Sequence, residues 1–212
     1  MARTPRLVVP ELPHHIVQRG TRNQNVFFSD SDRFKYLGFL GEAAAEYGVS
    51  FLSWCLMDNH VHLVAIPERQ DSFASCFRVA HSRYAYHVNT RNEWSGHLWQ
   101  YRFGSSPLGP HYLYNAVRYT EQNPVRAGMV DRAWDYYWSS ARFHVGVEKH
   151  DPLVSMDNRI LNEVNDWKEY LSMAPETMIA IKIRDATRKN RPLARQWYIS
   201  MMKKTRGINL GA

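Results

Sequence analysis

The chain has 212 residues, a net charge of +7, and enough aliphatic and aromatic residues to build a core, which excludes an intrinsically disordered protein. Its two cysteines, Cys55 and Cys76, lack CxxC spacing; this excludes a disulfide framework and suits a reduced compartment. No apolar run approaches the ~18 residues of a bilayer span, and MARTPRLVVPELPHH lacks the apolar stretch of a signal peptide, so a soluble, cytoplasmic chain is expected.

Pro13–Gly20 (PHHIVQRG) reads as a first strand, closed by the turn-prone RGTRNQN. Ser29 to Asp32 offers capping side chains to a helix with apolar residues at helical spacing, and Gly48 can end it. VSFLSWCLM follows as a strand of β-formers, Asp58-Asn59 as a tight turn, and HVHLVAIP as the third strand. Ser72–Arg91 has the pattern of a second amphipathic helix, and a fourth strand falls within Gly96–Leu108. A third helix is expected to begin near His111 and to stop before Pro124, because proline disfavours the helical conformation in the residue ahead of it. The order β-α-β-β-α-β and then a helix predicts an α+β fold: a ferredoxin-like split βαβ antiparallel sheet with helices on one face and the other face open.

Beyond residue 150 the pattern changes. Asp157–Met173 and Pro175–Asn190 read as helices, the second with Pro175 in its first turn, and Arg191–Gly207 as a third. The chain therefore divides into a domain over residues 1–150 and a helical, basic extension over 151–212. From Ile181 to Ala212 there are nine Lys or Arg and one Asp, whereas residues 1–180 carry 18 basic and 19 acidic groups. Such a run beside Trp197 and Tyr198 suits contact with a nucleic-acid backbone, with the aromatics free to stack. A solvated helix face is the plainer reading.

Two features carry chemistry. In a strand, side chains two apart point to the same side, so His60, His62 and Val64 share one face while Val61 and Leu63 share the other. A metal site and a structural histidine pair both fit that spacing. In the third helix Tyr119 and Asn123 are four apart, hence on one helical face with Cβ atoms ~5–6 Å apart. For any one of Tyr112, Tyr114 and Tyr119 in so tyrosine-rich a chain, a place among core or interface aromatics is the better reading of the spacing alone.

Five segments, in order, are similar to the REP-associated tyrosine transposases, a branch of the single-tyrosine HUH endonuclease superfamily. They are QRGTRNQNVF (Gln18–Phe27), MDNHVHLV (Met57–Val64), SGHLWQYRF (Ser95–Phe103), VRYTEQNPVRAGMV (Val117–Val130) and YYWSSARFH (Tyr136–His144). The resemblance implies a single-stranded DNA endonuclease and strand transferase acting beside hairpin DNA. It implies His60 and His62 as ligands of a divalent ion, Mg²⁺ or Mn²⁺, with Asn123 as an amide-type third ligand, and Tyr119 as the nucleophile that forms a 5′-phosphotyrosine. Tyr119 alone among the helix tyrosines has NPVRAG behind it. No general base for it is evident. A monomer is expected, with a dimer as the alternative, in the cytoplasm and associated with the nucleoid.

On this reading, alanine at His60 or His62 removes divalent-dependent cleavage at little cost in stability, and the reaction centre lies wholly outside the Ile181–Ala212 tail. Two other classes compete. A non-catalytic nucleic-acid binder would use the same sheet, though no aromatic RNP-type strand motif is present. A metal-dependent hydrolase of a small substrate would use the histidine pair and have no need of Tyr119.

Overall fold

A computed structural model describes residues 6–155, 157, 163–173 and 177–206. The expected helix start at Pro175 and much of the helix expected from Asp157 lie outside the described residues.

The first strand, β1, spans His14–Arg19 and is followed by helix α1, Asp30–Tyr47. The Ser29 hydroxyl accepts from the Asp32 N–H (3.3 Å) at the start of α1. Gly48 ends the helix in the left-handed region (φ 64°), where a side chain is costly. Strands β2 (Val49–Met57) and β3 (His60–Pro67) form a hairpin around Asp58-Asn59, pairing Met57 with His60 and Cys55 with His62. Helix α2 spans Ser72–Arg91 and strand β4 spans Gly104–Pro107. Helix α3 covers Pro110–Glu121, and the chain then re-enters a single helical turn over Asn123–Arg126. The helix therefore ends before Pro124, as expected, and the proline sits in the first turn of the short segment that follows, where its missing N–H would be unpaired anyway.

The sheet has the order β2-β3-β1-β4, all antiparallel, the arrangement of a ferredoxin-like split βαβ unit. On one face, α1 and α2 pack over Ile16, Val61, Leu63 and Ala65. The face expected to be open is roofed. Leu52, Val64 and Leu108 pack there against Val117 of α3, Trp167 and Leu171 of α4 (Trp167–Ser172), and Ile183 of α5 (Thr177–Lys189). The reason lies in β3 itself: past His62 it is apolar on both sides, the mark of a strand buried twice.

The C-terminal segment is joined to the sheet edge. The Leu193 N–H donates to the Pro107 carbonyl (2.8 Å) and the Gly109 N–H to the Leu193 carbonyl (2.9 Å). Asn190 Oδ1 accepts from the Ser105 N–H (3.0 Å), and Ser106 Oγ donates to the Arg191 carbonyl (2.7 Å). The bonds to the Pro107 carbonyl and the Ser105 N–H occupy backbone groups of β4 that an edge strand otherwise leaves unpaired. A last helix, α6, covers Gln196–Arg206, with Trp197 largely exposed. Among the described residues no helix is long and apolar enough to cross a membrane.

Candidate nucleic-acid cleavage site

Between β1, β3, α3 and α5 lies a cleft of about 530 Å³ whose lining includes His15, His60, His62, Tyr119, Asn123, Arg126 and Thr187. Five arginines, Arg19, Arg102, Arg126, Arg184 and Arg188, also line it. It is a strongly cationic hollow around three imidazoles and a phenol.

The pleat and the register bring the histidines together. Val17 of β1 pairs with His62 and Arg19 with His60, so side chains of the same parity on β1 enter the same face. The His60 and His62 ring centroids are 4.9 Å apart. Tyr119 stands edge-on to both His62 (5.7 Å) and His15 (5.5 Å). Burial drives the His60 and His15 pKa values down to about 3 each, and burial together with the neighbouring His60 lowers that of His62 as well. All three rings are neutral at pH 7, the form that ligates a metal.

His60 has an assignable tautomer. The Asn59 amide donates through Nδ2 to the Asn23 carbonyl (3.2 Å), which turns Oδ1 towards His60 Nδ1, 2.5 Å away. Nδ1 must carry the hydrogen, leaving the Nε2 lone pair free. His62 is buried and reaches His15, with 3.1 Å between its Nδ1 and His15 Nε2. His15 in turn approaches Thr187 Oγ1 at 2.7 Å.

The helix-borne residues sit where the spacing of Tyr119 and Asn123 places them, but the Asn123 amide is occupied. Its Nδ2 donates to the Tyr119 and Thr120 carbonyls (3.0 and 3.1 Å), and its Oδ1 accepts from Arg126 (2.6 Å). Arg126 also donates to the Tyr119 carbonyl (3.0 Å), and its guanidinium lies 3.8 Å from the Tyr119 ring centroid. Asn123 and Arg126 thus satisfy carbonyls left over where α3 ends, and Arg126 clamps the tyrosine ring. Tyr112 and Tyr114 stay outside the cleft. Tyr112 packs against the second core, and the Tyr114 hydroxyl donates to Glu163.

For a divalent ion the donor set fits in part. His60 and His62 present two neutral imidazoles at one cleft wall. Among the described residues no cluster of three His, Cys, Asp or Glu side chains stands ready to hold a metal, so further ligands must be oxygens of an amide, a phosphate or water. Asn123 Oδ1 keeps a second lone pair, but a guanidinium beside it opposes a cation.

Several cleft residues escaped the sequence reading. His15 and Arg19 share an alternation with Val17 that could have flagged them, although alternation does not say which face is which. Arg126 stands seven residues after Tyr119 and three after Asn123, a helical spacing that NPVRAG displays. Arg184, Thr187 and Arg188 lie on one side of α5, and nothing local indicates that this side meets the sheet. The tail expected to stand apart from the reaction centre therefore lines the same cleft.

A REP-associated tyrosine transposase of Escherichia coli strain K12 is 26% identical over 98 residues, which is 46% of this chain and 56% of that relative. The chain thus matches a little over half the length of that curated relative. A solved structure of a REP-associated tyrosine transposase bound to a REP hairpin superposes with a TM-score of 0.59 at 17% identity, covering 74% of this chain and 93% of that one. At that identity the likeness speaks for the fold. Residues 8–123, more than half of the chain, match the family described as IS200-like transposases, and the protein belongs to that family.

Proposed function

We propose that the protein cleaves and rejoins single-stranded DNA beside hairpin elements, with Tyr119 as nucleophile. The observation that carries this reading is the convergence of Tyr119, His60 and His62 in one arginine-lined cleft. Membership of the transposase family and a fold shared with a relative solved on a REP hairpin support it.

The Tyr119 oxygen attacks the scissile phosphorus. A phosphorus–oxygen bond to tyrosine forms as the bond to the 3′-oxygen breaks; the phenol gives up its proton and the 3′-oxygen gains one and leaves as a hydroxyl, so the exchange needs no net proton. The product is a 5′-phosphotyrosine, and attack by a 3′-hydroxyl reverses the step with no outside energy source. Arg126 holds the Tyr119 ring and backbone so that the phenol keeps its place beside the His62 edge. The arginines of both walls hold the flanking phosphates, as charge-assisted donors do. A divalent ion at His60 and His62, Mg²⁺ or Mn²⁺, would withdraw charge from the phosphate oxygens, with Asn123 as a third ligand once Arg126 shares its oxygen. Imidazole donors favour Mn²⁺ over Mg²⁺. All of these residues come from one chain, which supports a working monomer.

The test is incubation with labelled single-stranded hairpins, with and without Mn²⁺, followed by denaturing gels. Wild type should give a denaturation-resistant adduct, and Tyr119→Phe should fold, bind DNA and give none. An adduct that persists in Tyr119→Phe but disappears in Tyr112→Phe or Tyr114→Phe would overturn the assignment. A wild-type protein that binds the hairpin and never forms an adduct would instead be a non-catalytic binder.

A further inference from the structure

The hydrogen bonds behind His62 run in one direction. Thr187 Oγ1 lies 2.9 Å from the Ile183 carbonyl, one turn back on α5, and an oxygen without a hydrogen there obliges the hydroxyl to donate. A hydroxyl has a single hydrogen. Thr187 must therefore accept from His15, 2.7 Å away, and His15 Nδ1 carries a hydrogen. A neutral imidazole has one N–H, so His15 Nε2 is an acceptor, and its partner at 3.1 Å, His62 Nδ1, is the donor. What remains on His62 is the Nε2 lone pair.

We propose that Thr187 and His15 are positioning residues that lock His62 in the tautomer whose Nε2 lone pair is free to ligate. The inference deepens the metal-site reading above and rests on it. His60 reaches the same state through a local relay, Asn59 and Asn23. His62 depends on a C-terminal helix 172 residues from the strand that contacts it. The relay makes α5 part of the active centre in a second way, beyond the arginines it brings to the cleft. Reversed polarity, with His15 donating to His62, would put a hydrogen on His62 Nε2 and close that ligand position. Outer hydrogen bonds of this kind are how proteins fix the orientation and basicity of metal-bound histidines, and losing one typically weakens metal binding 10- to 100-fold.

The same relay explains close packing at Gly104. A Cβ there would lie 2.9 Å from the Thr187 carbonyl oxygen, so glycine in β4 lets α5 sit near enough for Thr187 to reach His15.

The experiment uses the full chain, ¹⁵N-labelled and metal-free, with two-bond proton–nitrogen correlation spectra that report each imidazole tautomer directly. His62 in wild type should be hydrogenated at Nδ1. Thr187→Val keeps the shape and removes the acceptor; His62 should then become a mixture or change tautomer, and titration with Mn²⁺ alone should show a Kd weakened 10- to 100-fold. Thr187→Ser should restore both. His15→Phe provides the second variant, with the same two changes expected and no rescue by serine at 187. A wild-type His62 hydrogenated at Nε2 overturns the proposal, as does a Thr187→Val protein whose His62 tautomer is unaltered. A changed tautomer with unchanged Mn²⁺ affinity overturns the ligand role. A wild-type protein that binds no Mn²⁺ refutes the metal-site reading itself, and the spectra separate that result from failure of the relay.

Discussion

Replacing Arg184 and Arg188 together by alanine removes two of the five arginines that line the cleft beside His60, His62 and Tyr119. Both lie on the exposed side of α5, and the contact of Arg188 with Asp185 (3.0 Å) is a surface pair of little worth, so the fold should tolerate the change. Each Lys or Arg contact to a single-stranded phosphate adds roughly −0.7 to the slope of log K against log salt. If all five arginines make such contacts, the slope is about −3.5 and affinity falls about 130-fold between ~50 and ~200 mM salt. With three left, the slope is about −2.1 and the same step costs about 18-fold. Fluorescence anisotropy with a labelled single-stranded hairpin measures both slopes. The control is alanine at Arg195 and Lys204, which removes the same charge from exposed positions outside the cleft lining. A double variant of Arg184 and Arg188 with the wild-type slope refutes the cleft as the DNA surface. A control that loses as much shows that overall tail charge, and not placement, governs binding.

Other consequences follow from particular contacts. Alanine at His60 or His62 should abolish Mn²⁺-dependent cleavage, but the two should differ in stability. His60→Ala empties a partly exposed position and should cost about 0.5 kcal/mol or less. His62→Ala strands the fully buried His15 Nε2 and should cost about 1–3 kcal/mol, a Tm drop of roughly 2–12 °C. Equal losses in the two variants would refute the His15–His62 bond. His14 is fully buried and neutral, donating from Nδ1 to the Leu12 carbonyl (2.8 Å) and accepting the Val9 N–H at Nε2 (3.2 Å). Burial lowers its pKa to about 4, against ~6.5 unfolded, so its contribution is complete above pH ~6.5 and is lost as pH falls towards 4. At pH ~5 the loss is about 2 kcal/mol, and His14→Phe should flatten stability against pH between ~5 and ~7; parallel curves would count against it. Gly104→Val should push α5 away from β4, because its Cβ meets the Thr187 backbone. Limited proteolysis should then clip the C-terminal helices faster with the sheet left intact, and an unchanged digestion pattern would show that α5 adapts.

The sequence by itself determined the parts whose causes are local. The β2–β3 hairpin, the bounds of α2 and the ends of α1 follow from runs of β-formers around a tight turn, helical periodicity and capping residues that act within a few positions of each other. Tyr119 and Asn123 share a helical face for the same reason, and His60 and His62 a strand face. The tertiary structure decided what covers those faces and which distant groups answer them. Alternation in β3 separated His60, His62 and Val64 from Val61 and Leu63, yet only packing shows α3 and α5 closing over the first set. Arg126 occupies the Asn123 oxygen because α3 ends where its free carbonyls need donors. The tail's basicity was legible as composition, but not its position. Arg184, Thr187 and Arg188 reach the cleft because Ile183 and Ala186 of α5 bury against the sheet, and burial of apolar area fixes how the helix is turned. Nothing within reach of Thr187 along the chain specifies His15; the glycine at 104 that admits the helix and the apolar face that seats it do so together.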